Sequence, residues 1–179
     1  MRGLIVFLIV SVSVFVIDQG IKVWAVSSSY EIKQQQYQKR YHKELKKSDI
    51  SEASLVGTTL KKGKYIDLEL HFNKGVAFSM FKSLGPYVKW IQASLVLLIL
   101  YFIFTEGYLT LYAFPAGLII GGALGNVYDR FYHIGVVDYV AWHYKFDYAI
   151  FNFADIAIDI AFIIIVIMLY RTPKVSEEG

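Results

Sequence analysis

The chain has no cysteine. That excludes disulfides, thiol nucleophiles and thiolate metal sites in one step, and leaves the compartment open. The Ser, His and Asp order of a hydrolase triad is also missing, as is the glycine-flanked serine of a nucleophile elbow. Four histidines, His42, His71, His133 and His143, show no ligand spacing of the His-Glu-x-x-His kind. They read as interfacial aromatics rather than ligands. No metal and no cofactor is expected, and any chemistry falls to carboxylates.

Apolar residues are what the chain has in excess. They make up 56% of it, against roughly 45–50% in a soluble domain. The surplus falls into blocks long enough to cross a bilayer, at about 20 residues each. The expected fold is an all-α membrane protein forming a single membrane domain over residues 1–179. Its four transmembrane helices fall near 4–26, 86–104, 111–128 and 150–170, with a hydrophilic loop over 27–85. The first block also admits a cleaved signal peptide. No small-x-small site follows its apolar core, and Asp18 and Lys22 lie one helical turn apart on one face, which favours a span. That pair either satisfies itself at the interface with Lys22 snorkelling, or faces the bundle interior.

Within the loop, Tyr30 to Lys47 is rich in Lys, Gln and Tyr and could form an exposed helix. Lys61-Lys62-Gly63-Lys64 signals a turn. Tyr65 to Phe72 alternates apolar and polar residues, as a half-buried strand does. Asn73-Lys74-Gly75 then permits a tight turn. The basic residues suit a solvated face beside anionic lipid headgroups better than a nucleic acid. In the third block Gly117, Gly121 and Gly125 are four apart, which lets helix backbones approach closely in lipid.

Polar residues are sparse, yet they concentrate between Gly121 and Asp155: Asn126, Asp129, Arg130, Asp138, Asn152 and Asp155. Ionisable groups within or beside spans are expensive and signal function. With the N-terminus inside, four spans bring Asp18, Lys22, the Asn73 turn and this whole set to the outer face. The eleven Lys and Arg residues of the 27–85 loop point the other way by the positive-inside rule, which weakens for loops near about 60 residues. Two carboxylates close together share a proton and can serve as base and acid at once, which suits peptide hydrolysis without metal. Buried carboxylates also serve proton or ion transport. Composition does not choose between these uses.

Five motifs bear on that choice. They are Asp18-Gln19-x-x-Lys22, Asn73-x-Gly75-x-Ala77-Phe78, Gly121-Gly122-Ala-x-Gly125-Asn126-x-x-Asp129-Arg130, Val136-Val-Asp138-Tyr139 and Phe151-Asn152-x-Ala154-Asp155. In this order the set resembles the motif series of lipoprotein signal peptidase (signal peptidase II), over nearly the whole chain. The resemblance implies a multi-pass aspartyl protease of the bacterial cytoplasmic membrane, with both termini cytoplasmic and the site at the extracytoplasmic face. It would act as a monomer among membrane lipids and cleave prolipoprotein signal peptides just before a lipid-modified cysteine. The catalytic pair it implies is Asp138 and Asp155. Asn126, Arg130 and Asn152 would orient the pair and the substrate backbone, while Asp18, Lys22, Asn73, Gly75 and Asp129 brace the site. Asp129 reads as a structural ion pair with its neighbour Arg130, and Asp159 is left outside the site. The family's small extracytoplasmic sheet would fall near Tyr65 to Phe72. Two departures stand out: Tyr139 replaces the more usual Phe, and the Lys22–Asn73 gap is long, with an insertion expected within 30–60.

Overall fold

The computed structural model describes residues 1–75, 85, 87–144 and 150–171. Ala77 and Phe78 of the second motif, Pro86 and the polar tail from Thr172 lie outside the described residues.

The first apolar block belongs to one 40-residue helix, α1, Arg2–Tyr41. At 1.5 Å per residue it is about 60 Å long, roughly twice the hydrocarbon thickness of a bilayer. Its last 15 residues are Lys/Gln/Glu-rich, all good helix formers, so nothing stops the helix where its apolar stretch ends. Lys39 and Arg40 stabilise its carbonyl end, and His42 closes it in the left-handed conformation with its N–H on Gln38 O at 2.8 Å. The chain then folds back along α1. Gln34 Nε2 donates to Leu45 O at 2.8 Å, and a short helix, α2 (Glu52–Leu55), follows.

Three antiparallel strands come next in space: β1 (Thr58–Lys61), β2 (Ile66–Asn73) and, from far along the chain, β3 (Val136–Trp142), in the order β1-β2-β3. His71 pairs with Asp138 and Asn73 with Val136, and a bulge lies between Leu68 and His71. One face of the sheet carries Leu70, Phe72, Val137 and Tyr139, which pack with Ile50 and Leu55 onto Ala25 and Val26 of α1. The other face presents His71 and Asp138. Alternation along the strands thus puts the apolar set on α1 and leaves Asp138 free for a site.

The remaining helices are α3 (Val88–Thr105), α4 (Ala113–Tyr132) and α5 (Phe153–Arg171). α4 is central and packs on α1, α3 and α5. Gly117, Gly121 and Gly125 face α1, where a methyl group would strike Phe7 O, Ser11 O and the Asp18 carboxylate respectively; Gly122 faces Ala154 and Ile158 of α5. The α5 side of that contact is equally small, at Ala154, Ala157 and Ala161. Small residues point inward and large apolar ones, such as Ile9, Leu97 and Ile163, point outward, the arrangement expected where lipid is the solvent. α1, α3 and α5 are long and apolar enough to cross a membrane. The fourth expected span, α4, has the length, but its glycines and Asn126, Asp129 and Arg130 dilute its apolar character. Among the described residues the architecture is mostly helical, with three candidate membrane helices and a small antiparallel sheet at one end.

Candidate functional site

A buried cation forms the floor of the site. Lys22 on α1 is 1% exposed, and its three N–H bonds have three acceptors. Asp18 Oδ2 lies at 2.7 Å, Asp129 Oδ2 at 2.8 Å and Asn126 Oδ1 at 3.0 Å. Both carboxylates are fully buried, and such charges persist only when paired and hydrogen-bonded. Gln19 Nε2 adds a bond to Asp129 Oδ1 at 3.0 Å. Asp129 therefore pairs with Lys22 across the α1–α4 contact, not with Arg130 as the sequence suggested; adjacent residues on a helix do not face each other. Gly125 is obligatory here because a side chain would displace the Asp18 carboxylate.

Each carboxylate of this triad also holds a strand or helix start. Asp129 Oδ2 accepts the Val137 amide at 3.1 Å, one residue before Asp138. Asp18 Oδ1 accepts the Ala154 amide at 3.0 Å, one residue before Asp155. The two remote acids are thus positioned through their backbones from one Lys22-centred cluster.

Asp155 enters through a local motif. Asn152 precedes α5 and accepts the Asp155 amide on Oδ1 at 3.1 Å, while Asp155 Oδ2 accepts the Asn152 amide at 3.2 Å. This reciprocal pair is a capping box, built from Asn-x-x-Asp rather than Ser-x-x-Glu. It explains the spacing of the last motif without reference to chemistry. Tyr139 completes the helix start: its hydroxyl accepts the Phe153 amide at 3.2 Å. The hydroxyl thereby satisfies one of the otherwise orphan amides of α5.

Two asparagines connect the acids. Asn152 Nδ2 donates to Asp138 Oδ1 at 2.7 Å and to Asn126 Oδ1 at 3.1 Å. Asn126 Nδ2 donates to Asp155 Oδ1 at 2.9 Å. A continuous chain therefore runs Lys22, Asn126, then Asp155 on one branch and Asn152 to Asp138 on the other. Asp138 is 3% exposed and its carboxyl is pushed up to about 6. Burial is the main cause and the charge of Asp155 the second; hydrogen bonds from Asn152 and Asn73 and the charge of Lys22 act in the opposite direction. Asp155 is only half-buried and so remains open to water. The cluster holds four carboxylates against two cations, so a shared proton relieves it.

The outer rim is formed by Arg130 and Asn73. Arg130 Nε donates to Gln92 Oε1 of α3 at 2.7 Å and Nη1 to Asn73 O at 3.1 Å. It joins α3, α4 and β2, and none of its hydrogen bonds goes to Asp138 or Asp155 among the described residues. Asn73 Oδ1 accepts the Gly75 amide at 3.0 Å, and Gly75 has φ 145°, which favours glycine. Asp159 lies one turn from Asp155 but is exposed. Sequence reading assigned no role in the site to Gln19, although it stands in the first motif, to Gln92 or to the Tyr139 hydroxyl. It also overlooked Glu52, which holds His133 Nδ1 at 2.5 Å and the Ile134 amide at 3.0 Å, bracing the turn into β3. Among the described residues no group of three His, Asp or Glu has the geometry of a metal site.

Residues 10–171 match the family model described as signal peptidase (SPase) II. The chain is 50% identical over 173 residues to the lipoprotein signal peptidase of Sulfurovum sp. (strain NBC37-1), covering 97% of this chain and 98% of that protein. It is 50% identical over 113 residues to the lipoprotein signal peptidase of Sulfurimonas denitrificans, covering 63% and 72% respectively. Its fold resembles that of a bacterial membrane enzyme solved by the in meso method, with TM-score 0.65 and 22% identity over 97% of this chain and 93% of the other.

Proposed function

Because the chain belongs to the signal peptidase II family, we propose that it is a membrane aspartyl endopeptidase. In this reading it removes the signal peptide from lipid-modified prolipoproteins at the bond before the diacylglyceryl-cysteine. The observation that carries the reading is the amide chain of Asn126 and Asn152, which holds Asp138 and Asp155 together. Four helices span the inner membrane, with both termini cytoplasmic and the sheet and site at the extracytoplasmic face. The protein acts as a monomer within the lipid.

The roles divide by environment. Asp138, buried and raised to about 6, carries the shared proton and is the acid. Asp155, half-buried at the helix start, is the base. Asp155 takes a proton from water as that water attacks the scissile carbonyl carbon, and Asp138 gives its proton to the carbonyl oxygen. The tetrahedral diol then collapses: Asp155 passes its proton to the cysteine nitrogen, the C–N bond breaks, and Asp138 takes back a hydroxyl proton. Asn126 and Asn152 hold the pair in place, and the Lys22 triad holds their backbones. The further N–H donors of Arg130, unused among the described residues, serve the substrate backbone.

The test is a reconstituted assay. The purified chain in proteoliposomes receives a lipidated prolipoprotein and its unlipidated counterpart, and products are read by mass spectrometry. Cleavage of the lipidated substrate before its modified cysteine is expected; no cleavage, or cleavage elsewhere, sinks the reading. The rival use, ion transport, needs polar groups along the whole path. Among the described residues, Ser11 is the sole buried polar side chain between the Asp18 level and the far ends of α1, α4 and α5.

A further inference from the structure

A second cluster of charge lies beside the site, at the ends of α3 and α4. Lys74, Lys89 and Arg130 line one cavity of about 200 Å³ together with Gly85, Val88 and Gly135. Among the described residues no acidic side chain lines it. Among the described residues, none of the three cations takes part in an ion pair. The hydrogen bonds of Arg130 to Gln92 and to Asn73 O involve neutral acceptors, and the carboxylates that act on its charge, Asp138, Asp129 and Asp155, are not among the described residues that line the cavity. Lys89 sits in the first turn of the 18-residue α3, whose N-terminal dipole adds to the positive potential.

Three cations converging on a small cavity call for a compact, multiply accepting anion. A phosphate group has the charge and the oxygen count for it. The surroundings indicate what the phosphate is attached to. The Lys89 ammonium lies 5.1 Å from the Phe131 ring and 5.8 Å from the Trp90 ring. Trp90 is 59% exposed and Phe131 is 40% exposed. Aromatics with that exposure, at the ends of apolar helices, belong to the layer where lipid headgroups sit.

We propose that this cavity binds the phosphate of an anionic membrane phospholipid, whose acyl chains run along the exposed apolar flanks of α3 and α4. The lipid bridges β2, α3 and α4 at the rim of the site. The inference needs only that the chain is a membrane protein, so it stands or falls apart from the proteolytic reading.

The test uses the full-length protein in nanodiscs of phosphatidylcholine with increasing phosphatidylglycerol, with retained lipid counted by native mass spectrometry. Wild type is expected to retain phosphatidylglycerol in preference to phosphatidylcholine. Lys74→Gln with Lys89→Gln weakens that retention by about 25-fold, taking roughly fivefold for each lysine at headgroup height. Lys61→Gln with Lys62→Gln, on the distant β1–β2 turn, leaves it unchanged. Equal retention of both lipids by wild type overturns the site, and so does an equal loss in the Lys61/Lys62 control, which would mean diffuse charge. Displacement of the lipid by millimolar inorganic phosphate assigns the cavity to free phosphate and overturns the lipid assignment. Repeating the measurement with Asp155→Asn gives the same preference and separates the result from catalysis.

Discussion

Replacing Lys22 with Met removes the cation that joins two buried carboxylates, and among the described residues leaves the neutral Gln19 amide as the side-chain donor in contact with both. Asp18 and Asp129, both fully buried, would lose their partners at 2.7 and 2.8 Å, and Asn126 Oδ1 would lose its donor at 3.0 Å. Breaking one side of a buried ion pair costs about 3–5 kcal/mol, because the partner charge stays buried and uncompensated. For a chain of this size each kcal/mol moves the thermal midpoint by roughly 2–4 °C, so a fall of about 6–20 °C is expected in detergent, followed by tryptophan fluorescence. The informative comparison is the triple variant Asp18→Asn, Lys22→Met, Asp129→Asn. It removes all three charges, and replacing a buried ionic set by neutral groups is often close to neutral. The triple variant should therefore recover most of the lost stability while remaining poorly active, since the Val137 and Ala154 amides keep only weaker acceptors. A loss under about 1 kcal/mol for Lys22→Met would refute the reasoning. So would a triple variant as unstable as the single one, because the cost would then not be electrostatic.

Three further outcomes follow from the same geometry. Asp138 has a folded pKa raised to about 6 from 3.8, so it contributes stability below about pH 4 that is lost as pH rises through about 6. Asp138→Asn should accordingly be more stable than wild type at pH 7 by about 3 kcal/mol, with the difference vanishing near pH 4 in thermal melts; a pH-independent difference would count against a buried, perturbed Asp138. Tyr139→Phe removes the acceptor of the Phe153 amide and should cost about 1 kcal/mol in thermal melts with little change in cleavage; a large activity loss would assign the hydroxyl a chemical role. Gly125→Ala drives a methyl into the Asp18 carboxylate and should cost about 1–3 kcal/mol as overpacking, together with activity; a neutral result would mean that the α1–α4 contact is looser than described.

Much of the site could be read in the sequence because it is built from short local motifs. Asn152-x-x-Asp155 is a helix cap, Asp18 and Lys22 are one turn apart, and glycines four apart mark the α1–α4 contact. What escaped was non-local. β3 pairs with β2 from more than sixty residues away, and its sequence Val136–Trp142, with few polar residues to alternate, carries no strand signal of its own. Asp138 was therefore expected on a connection, whereas it sits on a strand. The partner of Asp129 was misassigned to Arg130 because the α1–α4 register that brings Lys22 to it emerges only when the glycine stripe packs. The continuation of α1 to Tyr41 was half visible: its Lys, Gln and Glu are good helix formers, but an apolar pattern ends at Val26, and hydropathy alone does not say whether the helix ends there too. The role of Glu52, which braces the turn into β3, rests on long-range contacts with no motif to announce them.

The central claim is that Asp138 and Asp155 act as one proton-sharing pair. The most direct test is cleavage of a lipidated prolipoprotein by Asp138→Asn, Asp155→Asn and the double variant, each reconstituted and each shown to be folded. The pair acting as a unit predicts that either single change abolishes cleavage and that the double change costs no more than either alone. Substantial cleavage by either single variant would contradict it.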